Sequence, residues 1–92
     1  MEVTIMRRII DHFGQSILEM SKEDIKKDPT HPVVRFYDDD ELIGVFSIET
    51  GNILYDNDMA DYDVRFAKKE IARNRENFLE TWDDYVKGIA NA

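Results

Sequence analysis

The 92-residue chain contains no cysteine. Disulfides, thiolate nucleophiles and cysteine-based metal sites are therefore excluded, and the composition suits a cytoplasmic location. No apolar run approaches the ~20 residues that a membrane span requires. The start, "MEVTIMRRIIDHF", places Arg7 and Arg8 after the first apolar residues, with Asp11 following. That order is wrong for a secretion signal, and no small-residue cleavage site comes after it. Glycine is sparse, and the four present form no phosphate-binding loop. Proline occurs only at Pro29 and Pro32, so "KKDPTHP" reads as a loop. No internal repeat or low-complexity linker divides the chain, which implies one domain over residues 1–92.

The middle of the chain lacks positive charge. From Phe36 to Asp63 there are nine acids and no Lys, Arg or His. The two flanking segments nearly balance, so the net charge of −8 comes from this stretch. An acidic total opposes direct nucleic-acid binding, which needs clustered Lys and Arg.

Apolar spacing supplies the elements. Ile5, Ile9, Phe13 and Ile17 recur every four residues and suggest an N-terminal helix, interrupted by Gly14. A strand through Ser16–Met20 is the alternative, so this part reads as helical or mixed. "SKED" from Ser21 has capping-box spacing for one helical turn. Three strand-like runs follow: Val33–Tyr37, Leu42–Glu49 and Asn52–Asp56. "DDDE" makes the first turn between them, and Gly51 supplies the positive φ of the second. Val64, Ala67, Ile71, Arg75, Phe78, Trp82, Tyr85 and Ile89 step by three and four, predicting one long helix. Asp58 is expected to cap it and Gly88 to end or fray it. Asp61–Arg65 and Asp83–Lys87 have ion-pair spacing. The fold class is therefore α+β: a three-stranded antiparallel meander packed against a long C-terminal helix.

The meander places the charge. Strand one ends at the acidic turn, and strand three runs back to Asp56. Asp38, Asp39, Asp40, Glu41, Asp56, Asp58, Asp61 and Asp63 should therefore meet at one end, with Glu49 at the other. Such a surface steers basic partners. Tyr37 and Tyr62 beside it offer apolar contact. The leading expectation is a non-catalytic interaction module that docks on a basic protein surface, with no cofactor.

Other readings use the same residues. "DNDMADYD" from Asp56 resembles the start of a calcium loop, which would make a weak divalent-cation binder. Ala60 takes its third ligand position, Asp61 its glycine and Ala67 its final acid, so no metal ligand set is assigned. His12 or His31 with a nearby carboxylate could serve a small enzyme as base. Ser16, Ser21 and Ser47 lack a nucleophile-elbow context, so no catalytic residue is assigned. Phe78, Trp82 and Tyr85 could join two copies into a homodimer.

"THPVVRFYDDDELIGVFSIETGNIL", followed by "NRENFLETWDD", resembles the small bacterial proteins grouped as domain of unknown function 4160. Phe46, Ile48, Gly51, Ile53, Leu54, Leu79 and Trp82 carry the likeness, over about residues 29–88. The family tends to carry a Pro-His-x-His stretch, whereas here His31 stands alone before Pro32. Leu79 to Trp82 is also one residue shorter than the family spacing. The resemblance implies a compact α+β protein of bacterial or phage origin. It also leans toward action through a partner protein, while the clustered carboxylates themselves suit a regulator or inhibitor, including one that mimics a nucleic-acid backbone.

Overall fold

The computed structural model describes residues 7–13 and 16–90, with the backbone alone for residues 7–13, 89 and 90. It is α+β, but the sheet and the helices both differ from expectation in detail. Five strands run β1 (Arg7–Phe13), β2 (Ser16–Ser21), β3 (Val33–Asp38), β4 (Glu41–Ser47) and β5 (Ile53–Asp56). Each pairs antiparallel with its chain neighbour, in the order β1-β2-β3-β4-β5. The helices are α1 (Lys22–Lys27), α2 (Asp61–Arg73) and α3 (Arg75–Ala90).

The N-terminal helix is not present among the described residues, and a hairpin stands in its place. The strand alternative at Ser16 is the one adopted. Arg7 pairs with Ser21 and Phe13 with Ser16, with the register shifting between Ile9 and Asp11. An extra residue in a strand offsets the two-residue alternation. That offset makes a strand's apolar pattern look helical. The parts of the helix expectation on Ile5 and Gly14 lie outside the described residues.

Ser21 caps α1 as its spacing suggests, accepting a hydrogen bond from the Glu23 amide at 3.2 Å. The helix is six residues long and inserts Ile25 into the core. One face of the sheet contributes Leu18, Met20, Val34, Phe36 and Phe46 to that core. Ala67, Ile71, Phe78 and Trp82 cover them from the helices. Burying each large side chain stabilises the fold by about 1.5–3 kcal/mol. Gly44 lies on β4 where Met59 packs, and a Cβ there would fall against the Met59 sulfur.

The long C-terminal helix is broken at Asn74, which has φ −112° and ψ 18°. Its amide N–H and its side chain both donate to the Glu70 carbonyl, each at 3.0 Å. Its own carbonyl accepts from the Phe78 amide, so α3 starts at once. The apolar stripe continues through the break, and Arg75 explains its one polar position. Arg75 Nε donates to the Ile48 carbonyl at 2.8 Å and so ties the helix junction to the end of β4. Gly88 does not end α3, which runs on to Ala90.

Candidate functional site

The two turns of the acidic end are built by unusual backbone. Asp38 pairs with Glu41 across a two-residue turn formed by Asp39 and Asp40. Their φ angles are 51° and 69°, the left-handed region that a tight hairpin demands. Glycine and asparagine adopt that region most readily, and aspartate tolerates it. Asp58 also has a positive φ, of 60°. It lies before α2 and does not cap it: the N-cap is Ala60, which has no side-chain oxygen to offer. Asp61 and Asp63 occupy the first turn, where negative charge suits the helix dipole. Asp56 closes the connecting loop by accepting from the Met59 amide at 2.8 Å.

One acid from each cluster, Asp38 and Asp63, lies within electrostatic reach of the other. Burial, and then the negative charge of Asp38, push the Asp63 carboxyl above the ordinary carboxylate range. Two carboxylates 25 positions apart in the chain therefore sense each other. β5 stops short of the turn, with Asp56 opposite Gly44 and not Glu41, so the acids form a sloping rim. Glu49 sits in the β4–β5 turn, at the far end of both strands.

None of the eight rim acids forms an ion pair among the described residues. Acids elsewhere do. Asp24 binds Arg35 at 2.9 Å, Glu70 lies 3.3 Å from Arg73, and Asp83 lies 3.1 Å from Lys87. No ion pair joins Asp61 to Arg65 among the described residues, despite their spacing.

The aromatic neighbours divide. Tyr62 is 68% exposed and Tyr55 47%. Tyr37 is half-buried, and its hydroxyl accepts from Arg35 Nη1 at 3.4 Å. Leu54, 60% exposed, joins the open group. Phe78 and Trp82 are buried in the core, which takes both away from any surface between copies. Trp82 also donates its indole N–H to the Pro29 carbonyl at 2.9 Å. Tyr85 is partly buried against the same core.

His31 belongs to a local cluster in the loop before β3. Its Nδ1 lies 2.7 Å from Asp28 Oδ2 and 3.0 Å from Thr30 Oγ1. The Thr30 hydroxyl donates to Asp28 Oδ1 at 2.6 Å. Hydrogen bonds from Thr30 and then His31 hold the Asp28 carboxyl below its ordinary range. The cluster is exposed, and loop closure accounts for every bond in it. His12 lies in β1 opposite Ile17, and its side chain falls outside the described residues. An open hollow of about 290 Å³ at the α2–α3 junction is lined by residues 72–77, none a histidine. Among the described residues no three His, Asp or Glu side chains gather in a way that could hold a metal ion.

Sequence reasoning missed the Asp24–Arg35 pair and the Trp82–Pro29 bond. Both join distant positions, and only the polar Arg75 in an apolar stripe gave a comparable signal. No family model matches the chain, and no curated protein or solved structure is significantly similar to it, which neither supports nor contradicts the family resemblance.

Proposed function

We propose that this protein is a non-catalytic interaction module whose acidic end docks on a basic surface of a partner protein. The carrying observation is the contrast in pairing. Among the described residues the eight carboxylates of the two clusters form no ion pair, while Asp24, Glu70 and Asp83 each form one. Clustered, unneutralised carboxylates raise the local potential and speed encounter with a cationic surface. Asp39, Asp40 and Asp58 hold left-handed backbone that uncharged asparagine or glycine would adopt more easily. Charge at those positions carries a small folding cost, as sites kept for function do. Tyr62 adds an open aromatic surface of the kind that anchors contacts. A bacterial or phage regulator or inhibitor fits this design, in keeping with the family resemblance.

The test replaces Asp38, Asp39 and Asp40 together with Asn. A partner captured from the native host at low salt is purified, and its association is followed by stopped flow. The wild-type on-rate should fall as salt rises, because screening shortens the reach of the rim. The triple variant should associate more slowly and depend less on salt. An unchanged on-rate would overturn the proposal.

A further inference from the structure

We infer that the free edge of β5 takes up an extended, basic segment of the partner as an added strand. The inference rests on the acidic-end reading and names the form of its ligand. β5 is the last strand of the sheet, paired on one side with β4. No strand among the described residues pairs with its other side. Among the described residues the exposed large hydrophobic side chains are Leu54 and Tyr55, both in β5, and Tyr62 in the first turn of α2.

Open edges are normally guarded by Lys, Pro or covering elements, because their free N–H and C=O groups invite pairing. "ILYD" has neither Lys nor Pro. Its guards are a bulge at Leu54 and the exposed carboxylates of Asp56, Asp58 and Asp61 at its outgoing end. A guard whose charges are all negative is selective. It repels a second copy of this chain, which carries −8, and it attracts a cationic strand. Strand addition draws affinity from main-chain hydrogen bonds and specificity from alternate side chains. Four residues of β5 span about 13 Å at ~3.3 Å each, which suits a segment of about four to six residues. Its apolar side chains would rest on Leu54 and Tyr55, and its Lys or Arg would reach the rim.

The test uses two synthetic peptides with the whole protein. One is Lys-Val-Arg-Val-Lys-Val with capped ends. The other has the same sequence with alternate backbone nitrogens methylated, so charge is kept and pairing is blocked. The first should shift the backbone NMR signals of Leu54, Tyr55 and Asp56 and slow their amide exchange. Blocking two main-chain bonds should weaken binding at least about tenfold. Leu54→Ser should weaken the unmethylated peptide and leave the fold intact, since Leu54 is already exposed. Equal binding of both peptides, lost at high salt, would overturn strand addition and leave the acidic-end reading standing. Binding by neither peptide at low salt would overturn both. A dimer that protects the β5 amides as protein concentration rises would also overturn it, in favour of self-pairing.

Discussion

Arg35 holds Asp24 with two hydrogen bonds, Nε to Oδ2 at 2.9 Å and Nη2 to Oδ1 at 3.1 Å. The pair fastens α1 to β3, and the Asp24 carboxylate raises the guanidinium's affinity for its proton further. Both side chains are mostly buried, so removing one leaves a desolvated charge. Arg35→Met should therefore destabilise the fold by about 1–3 kcal/mol in urea unfolding. A double-mutant cycle with Asp24→Asn should return a coupling of about 1 kcal/mol or more. Full additivity would show that the pair contributes little.

The Asp39–Asp40 turn predicts a conflict between stability and association. Asn-Gly is the preferred pair for a turn with two positive φ angles. Asp39→Asn with Asp40→Gly should raise stability by up to about 1 kcal/mol, because asparagine and glycine enter the left-handed region more cheaply. The same change removes two rim charges and should slow partner association. Urea unfolding and stopped-flow association, measured on one preparation, should move in opposite directions.

Two glycines should respond to alanine with opposite signs. Gly88 lies inside α3, and an added methyl would meet nothing within 4 Å. Gly88→Ala should stabilise the protein by about 0.5–1 kcal/mol through helix propensity. Gly44 is buried against Met59, and Gly44→Ala forces that side chain to move. A loss of about 1–3 kcal/mol is expected there. Thermal melts of the two variants check the contrast.

Asp63 gives a pH dependence of defined sign. Its folded carboxyl takes up a proton more readily than the ordinary value of 3.8, through burial and then Asp38. The native state therefore binds that proton more tightly than the unfolded chain does. The resulting stability is present below the unfolded value and is lost as pH rises through the folded one. Asp63→Asn should raise the melting temperature at pH 7, and the gain should vanish at about pH 3. Equal gains at both pH values would exclude charge as the cause.

The legible parts of the fold were those with an undisturbed period. The three central strands, the Ser21 cap and the C-terminal apolar stripe all lie where spacing puts them. The convergence of the two acidic clusters followed from strand order alone. β1 and β2 were obscured because the register shift near Ile10 breaks the alternation on which strand recognition depends. The break at Asn74 left no gap in the stripe, since the apolar positions on either side stay in phase. Asp24–Arg35 and Trp82–Pro29 depend on the three-dimensional path, and residue spacing holds no trace of them. The candidate rim was readable in charge. The open edge beside it was implied by a meander ending at Asn52–Asp56, whereas the exposure of Leu54 and Tyr55 along it was not.

The sheet's order in space is its order along the chain. Each hairpin can close as soon as its second strand leaves the ribosome, with little loop entropy to overcome. Two of the three helices that roof the sheet, α2 and α3, are made last. Until Phe78 and Trp82 have emerged, the apolar face bearing Leu18, Met20, Val34, Phe36 and Phe46 is covered only in part, by Ile25 of α1 and then by Met59, Ala67 and Ile71. The nascent chain thus passes through a stage with a formed sheet and a partly open underside. At that stage the negative rim is already present, and its charge opposes close approach between half-made chains.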